Sequence, residues 1–183
     1  GRLLAASPDD LRELLTGALM TGARLGELAA MRVGAFDPEA GRVRIIQTKT
    51  GKTLSQPLTA EGLGFFRVVA GTRASSEHMF RKADGSPWGD GHATRRVRAA
   101  ADAAGLADVS FKVTRATYGK LLLQATRDLE LVARALGHSD SRVTRKHYAA
   151  LLPDEVAAGI ARMPALGLDL GNVAALPRRE VGK

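Results

Sequence analysis

Apolar side chains in the first part of the chain recur with the spacing of an α-helix. Leucine and alanine residues stand three and four positions apart between residues 11 and 19, which predicts an amphipathic helix. Ser7 precedes this run, and we expect its hydroxyl to cap the helix. The same period resumes over residues 24–31 after Gly22, and Gly34 ends the helical region. Two consecutive helices are therefore predicted.

The next segment changes from helical spacing to alternation. Residues 42–46 read RVRII and residues 53–58 read TLSQPL, so apolar and polar residues alternate in both runs. The sequence QTKTGK between them contains a turn glycine, Gly51. Two alternating runs joined by a short turn with glycine are typical of a β-hairpin.

Helical spacing returns after the hairpin. The predicted helices cover about residues 60–69, 90–104, 111–125, 128–136, 142–152 and 153–163. Asp128 is expected to cap the fourth of these helices and Gly137 to end it. Residues 164–183 show no sustained period and are predicted to be a flexible tail or a segment that docks on a neighbouring subunit. The predicted fold class is α+β, mainly helical, with one small antiparallel β-sheet.

Charge and composition narrow the possible function classes. The 183 residues include 27 Lys and Arg against 19 Asp and Glu, a formal net charge of +8, which favours a polyanionic partner. A hydrophobic content of 45% excludes disorder for most of the chain. The absence of cysteine excludes disulfides, thiolate metal sites and cysteine nucleophiles. The longest stretch without a charged residue has ten residues, too short to span a membrane, and we expect a cytoplasmic protein.

Several charged or nucleophilic side chains stand near predicted turns and helix ends. They are Arg24 with Glu27, Lys49, Lys112 with Arg115, and His138 with Tyr148. Each has an ordinary structural explanation when taken alone. An arginine three residues before a glutamate is commonly a solvated ion pair, and a histidine after a helix is a favourable charge at the C-terminus.

Taken together, the order and spacing of these residues resemble a known family. TGARLGEL, QTKTGK on the hairpin, KVTR, and ALGH followed ten residues later by a tyrosine are similar to motifs of the tyrosine recombinase (phage integrase) family. The similarity covers its C-terminal catalytic domain and implies such a domain over residues 1–163. It implies these active-site residues, with Glu27 supporting them: Arg24, Lys49, Lys112, Arg115, His138 and Tyr148.

One of these positions departs from the family pattern. The family most often has histidine where this chain has Lys112. An ammonium group cannot accept a proton unless its pKa is strongly lowered. The identity of the proton acceptor for Tyr148 therefore stays open.

The resemblance implies cleavage and rejoining of DNA strands through a covalent 3′-phosphotyrosine intermediate, a chemistry shared with type IB topoisomerases. A phosphodiester gains negative charge on its non-bridging oxygens when it is attacked, so the reaction needs fixed cations and hydrogen-bond donors. Arg24 and Arg115 have planar forks that suit these oxygens. The ammonium of Lys49 suits protonation of the departing 5′-oxygen, with Lys52 as the alternative. No metal and no cofactor is implied.

The resemblance also implies a partner and further domains. The expected partner is double-stranded DNA, which would associate the protein with the nucleoid. We expect a homotetramer on DNA for the full-length protein and a monomer for this chain alone. An upstream core-binding domain is absent from the sequence, which predicts a fragment of a longer protein. The motifs do not distinguish a phage integrase from a chromosome-dimer resolvase or a transposon recombinase.

Two other interpretations are weighed against this one. A catalytically silent DNA-binding module would keep the fold, but the presence of all six matched positions disfavours it. An unrelated basic protein that binds RNA is disfavoured because only 4% of the residues are aromatic.

Residues 109–150 contain eight Lys or Arg against three Asp or Glu. The positive charge is therefore concentrated around the proposed histidine and tyrosine.

Overall fold

The computed structural model describes residues 1–48, 50–138 and 140–148. All of them belong to one compact unit, which covers residues 1–151. Lys49, the helix predicted at residues 153–163 and the predicted tail at 164–183 lie outside the described residues.

Three helices form the N-terminal part of the chain: α1 (Arg2–Ala5), α2 (Asp9–Thr21) and α3 (Leu25–Ala29). The two predicted helices are thereby confirmed as α2 and α3. The predicted apolar face of α2 is fully buried at the following positions: Leu11, Leu14, Leu15 and Ala18.

The short helix α1 is not predicted by the sequence pattern, and it changes the role of Ser7. The Ser7 hydroxyl donates a hydrogen bond of 2.7 Å to the carbonyl oxygen of Leu3. Pro8 takes the N-cap position of α2, where no side chain caps the helix. The predicted Ser7 cap is wrong because α1 supplies an acceptor four residues earlier in the chain.

A three-stranded antiparallel sheet follows, with the order β1 (Phe36–Asp37), β2 (Arg42–Ile46) and β3 (Thr53–Pro57). The predicted hairpin is confirmed as β2 and β3, in which Ile46 is paired with Thr53 across the loop. Val43 and Ile45 point into the core, as the alternation requires.

Five helices complete the described fold. They are α4 (Ala60–Ala70), α5 (Asp90–Ala103), α6 (Lys112–Thr126), α7 (Leu129–Ala135) and α8 (Ser141–Tyr148). The predicted cap of α7 is confirmed, since the Asp128 carboxylate accepts hydrogen bonds from the backbone N–H groups of Glu130 and Leu131. Gly137 follows α7 with a positive φ of 62°.

The central helix α2 packs against α3, α4, α5 and α6. The fold is the predicted α+β class, mainly helical with one small antiparallel sheet. In the described part of the chain, no helix combines the length and the apolar character that a membrane crossing needs. The packing of α2 on α6 brings the turn after α2 close to the side chains of α6, and the candidate site lies there.

Candidate active site

Arg24 lies in the turn between α2 and α3 and is held by Glu27. Its Nη1 is 2.7 Å from Glu27 Oε1, and its backbone N–H donates to Glu27 Oε2 at 2.8 Å. The Glu27 side chain is only 2% exposed, whereas that of Arg24 is 42% exposed. This is therefore not a solvated ion pair. A buried carboxylate fixes a guanidinium whose side chain is still partly exposed.

Arg115 lies in α6 and is held by two backbone carbonyls. Its Nη1 donates to the carbonyl oxygen of Gly22 at 2.7 Å, and its Nη2 donates to that of Leu136. Among the described residues no carboxylate forms an ion pair with Arg115. Burial, and next the charge of Arg24, lower the pKa of Arg115 to about 10. The guanidinium therefore stays charged at neutral pH, and it connects the turn before Arg24 with the turn that leads to His138.

His138 follows Gly137 directly, in the turn after α7. Its Nδ1 lies 2.7 Å from the hydroxyl oxygen of Thr144, a residue of α8 that is completely buried. Burial lowers the pKa of His138 to about 4, and the charges of Arg115 and Arg24 act in the same direction. The imidazole is therefore neutral at pH 7, with one nitrogen able to donate and the other able to accept.

An open cavity of about 430 Å³ lies between the hairpin and this turn. Its lining includes the following residues: Arg24, Gln47, Thr50, Lys52, Gly137 and His138. Asp140 also lines it, but that carboxylate is paired with Arg142 at 2.8 Å. The cavity is therefore bordered by cationic groups whose charge the local carboxylates only partly neutralise.

Tyr148 is the last described residue of α8 and packs against α6. It is 7% exposed, and a Cβ placed on Gly119 would lie 2.5 Å from its hydroxyl oxygen. Burial raises the pKa of Tyr148, and the nearby charge of Arg115 opposes that effect. Tyr148 is not among the described residues that line the cavity.

Of the two lysines in the predicted site, the structure describes only Lys112. Lys112 is exposed at the first position of α6, one turn before Arg115, and its side chain makes no hydrogen bond or ion pair within the described residues. Lys49 lies outside the described residues, but Thr48 and Thr50 on either side of it are described. The structure therefore brings together Arg24, Glu27, Arg115 and His138, and it places Tyr148 near Arg115.

Sequence reasoning missed two residues that position this site. Thr144 holds His138, and no local pattern distinguishes it from any other helix residue. Gln47 donates through Nε2 to the carbonyl oxygen of Gly137 at 2.9 Å. A signal for Gln47 was present, because it continues the alternation of Val43 and Ile45 and so falls on the buried side of the strand.

Comparisons with known proteins agree with this fold. The family model described as "Phage integrase family" matches residues 2–155. No curated protein matches the chain in sequence.

Three solved structures illustrate the similarity in fold. A lambda integrase (75–356) dimer bound to a COC′ core site is 21% identical, with a TM-score of 0.67, over 80% of this chain and 55% of that one. The XerH site-specific recombinase bound to difH substrate is 20% identical, with a TM-score of 0.66, over 88% of this chain and 51% of that one. A lambda integrase tetramer bound to a Holliday junction is 21% identical, with a TM-score of 0.67, over 80% of this chain and 45% of that one. The chain spans about half the length of these proteins, and identities this low show the fold alone.

Proposed function

Since the chain belongs to the phage integrase family, we propose that it cleaves and rejoins double-stranded DNA as a site-specific tyrosine recombinase. The observation that carries the proposal is the meeting of Arg24, Arg115 and His138 beside one open cavity. Arg24 and His138 line the cavity, and Arg115 is bonded to the turn that leads to His138. Among the described residues, Glu27 is the only carboxylate bonded to either arginine. A phosphodiester supplies the negative charge that such a site lacks.

The two arginines have donors left for the phosphate oxygens. Arg24 uses Nη1 on Glu27, and Arg115 uses one N–H on each of two carbonyls. A guanidinium has five N–H donors, so both keep free ones. Because their forks are already held, they stabilise the charge that develops during attack without first reorganising. A neutral His138 whose Nδ1 accepts from Thr144 has an Nε2–H to donate to the same phosphate.

The proposed reaction is a transesterification. A bond forms between Tyr148 Oη and phosphorus while the bond from phosphorus to the 5′-oxygen breaks. The phenolic proton passes to solvent, and Lys49 protonates the departing 5′-oxygen. A 5′-hydroxyl then attacks the phosphotyrosine, which re-forms the phosphodiester. Its proton returns to Lys49, and the released tyrosine takes a proton back from solvent. Lys112 is an exposed ammonium near Arg115 and acts as a donor or a positive charge.

Double-stranded DNA is the proposed partner, and a tetramer is the proposed assembly of the complete protein. The support is that structures of similar fold are a dimer on a core site, a recombinase on its substrate and a tetramer on a Holliday junction. A net charge of +8 suits binding to a polyanion, and such binding weakens as the salt concentration rises.

One observation favours a second candidate function. The Tyr148 hydroxyl is buried against Gly119, and Tyr148 is not among the described residues that line the cavity. A chain that keeps Tyr148 in this place on DNA would be a catalytically silent DNA-binding module.

A covalent-capture experiment separates the two functions. The chain is incubated at low salt with a pool of nicked duplexes whose central sequence is randomised, so that no target site has to be assumed. Cleavage beside a nick releases a short fragment and traps the covalent adduct. Denaturing electrophoresis then shows whether DNA is attached to protein, and sequencing of the attached strands identifies the target.

The chain contains only two tyrosines, which gives a matched control. We expect an adduct with the wild-type chain and with Tyr118→Phe, and none with Tyr148→Phe. DNA binding without an adduct supports the silent module. An adduct that survives in Tyr148→Phe contradicts the proposed nucleophile.

A further inference from the structure

Gln47 is a buried polar residue directly after β2, and its side chain joins two loops. Its Nε2 donates to the carbonyl oxygen of Gly137 at 2.9 Å, across 90 positions of the sequence. Its Oε1 accepts from the hydroxyl of Thr50 at 2.9 Å. Gln47 is 7% exposed, so these two hydrogen bonds take the place of the hydrogen bonds to water that the buried amide group cannot make.

The backbone of Gln47 also closes the hairpin loop. Its N–H donates to the carbonyl oxygen of Lys52 at 2.9 Å, and its own carbonyl oxygen accepts from Gly51 at 2.8 Å. Residues 50–52 therefore fold back on Gln47, and Lys49 belongs to this loop by sequence.

The other partner, Gly137, is suited to this close approach. Its φ is 62°, and a Cβ at this position would lie 2.0 Å from Gln47 Nε2. The next residue is His138. One side chain thus joins the loop that contains the predicted general acid to the turn that presents the predicted phosphate ligand.

The two loops do not depend on this contact equally. The turn has further anchors, because Arg115 donates to the carbonyl oxygen of Leu136 and His138 is bonded to Thr144. For residues 47–52, the bond from Gln47 to Gly137 is the only hydrogen bond within the described chain that reaches beyond the hairpin. Loss of the Gln47 amide should therefore release the hairpin loop and leave His138 in place.

We propose that Gln47 is a positioning residue that holds the 47–52 loop against the Gly137–His138 turn, so that Lys49 protonates the departing 5′-oxygen. This inference rests on the proposed recombinase function. Gln47 acts through another residue and does not itself touch the phosphate.

The test compares two leaving groups. The captured target sequence is prepared with an ordinary 5′-oxygen and with a 5′-bridging sulfur, whose departure needs no protonation. For Gln47→Met, which keeps the size but loses both hydrogen bonds, we expect cleavage of the oxygen substrate to fall by about tenfold or more. Cleavage of the sulfur substrate should stay within about twofold, since an acid assists only the oxygen leaving group.

A buried glutamine in the same hairpin provides the matched control. Gln56 in β3 is 3% exposed and donates to the Tyr118 hydroxyl instead. Gln56→Met loses a comparable amide, so a general loss of stability should affect it similarly. We expect it to change the rates on both substrates by the same factor. Gln47→Asn, which keeps the amide but is too short to reach Gly137, supplies a second variant should Gln47→Met fail to fold.

A double variant tests whether Gln47 acts through Lys49. In a Lys49→Ala background, adding Gln47→Met should slow the oxygen substrate no further. Equal losses on both substrates, or a further loss in the double variant, would overturn the positioning role while leaving the recombinase proposal intact. Absence of any adduct from the wild-type chain would overturn both, so the two failures are distinguishable.

Discussion

Two arginine clusters in this chain differ in what holds the guanidinium. Arg96 in α5 is bonded to both carboxylate oxygens of Asp10, at 2.6 and 2.7 Å, and lies 5.1 Å from the centre of the Trp88 ring. Asp10 also accepts backbone hydrogen bonds from Leu11 and Ala83. Charge and hydrogen bonds are both satisfied within this cluster, so it contributes to stability and offers nothing to a ligand.

Arg115 is held just as firmly, but by groups of a different kind. Its partners are the carbonyl oxygens of Gly22 and Leu136. A carbonyl takes up an N–H group without cancelling the charge, so the guanidinium is fixed in place and remains cationic. The comparison teaches that carbonyl anchors leave the charge of Arg115 available to an external anion, whereas the Asp10 carboxylate neutralises Arg96 and occupies two of its N–H groups.

The largest effect is expected from breaking the Asp10 cluster. Asp10→Ala leaves Arg96 partly buried without its counter-charge, and the free energy of unfolding should fall by about 3 kcal/mol. Urea unfolding measures this change. Asp9→Ala, which removes a neighbouring carboxylate that is 92% exposed, is the matched control and should change stability little. DNA cleavage by folded Asp10→Ala should match that of the wild type, and a selective loss of cleavage would contradict the assignment of this cluster to stability.

Removing Arg115, the arginine held by carbonyls, should instead affect the rate of DNA cleavage. Arg115→Ala should weaken DNA binding only modestly but slow cleavage by about a hundredfold, near 2.7 kcal/mol, as for loss of one anion-stabilising donor. Single-turnover cleavage and a binding titration separate the two quantities. Arg12→Ala is a suitable control for the loss of a guanidinium, because Arg12 donates to the carbonyls of Leu4 and Ser7 and to the Asp9 carboxylate and is not among the cavity-lining residues. If Arg115→Ala cleaved at the wild-type rate, Arg115 would not belong to the site.

The two sites should also differ in the pH range over which they lose their contribution to stability. The pKa of His138 is lowered from 6.5 to about 4 in the folded chain, chiefly by burial. Below pH 6.5 the unfolded chain therefore binds the proton first, and stability falls between pH 6.5 and 4, by roughly 1 to 2 kcal/mol after solvent screening. The pKa of Asp10 is lowered from 3.8, mainly by its hydrogen bond to Arg96, so its contribution is lost only at lower pH.

Urea unfolding between pH 7 and pH 4.5 measures this dependence. The His138→Gln variant should lose most of the pH dependence over that interval. An unchanged slope in the variant would mean that other groups cause it.

The smallest effect is expected at Thr144, which tests how tightly His138 must be held. Thr144→Val keeps the shape but leaves the imidazole Nδ1 without its partner, so cleavage should slow by about fivefold, near 1 kcal/mol. Thr144→Ser restores the hydroxyl and should recover most of the rate. Equal rates for the two variants would show that the hydrogen bond does not contribute to the reaction.

The sequence predicts the elements of this fold well where a period extends over several residues. The buried face of α2 and the β2–β3 hairpin follow from local spacing, and Asp128 is a cap that local chemistry identifies. The two-residue strand β1 and the four-residue helix α1 are too short to show any period. The Ser7 cap was predicted wrongly for that reason, because its true acceptor lies in α1.

The candidate site is predictable to a different extent. The family motifs point to Arg24, Arg115 and His138, which the structure brings together. Of their anchors, only Glu27 was predicted, because it belongs to the same motif as Arg24. Contacts such as Gln47 to Gly137 join residues 90 positions apart, and no local rule specifies them. The catalytic roles of all six residues stay predictions.

The carbonyl anchors of Arg115 also set when the cluster can form during synthesis of the chain. One partner lies 93 positions before it and the other 21 positions after it. Contacts between distant segments close late, because the intervening chain must first be ordered. A nascent chain that has not yet released Leu136 from the ribosome lacks one of the two anchors. Translation products that end before Leu136 therefore carry both arginines without the geometry on which the proposed reaction depends.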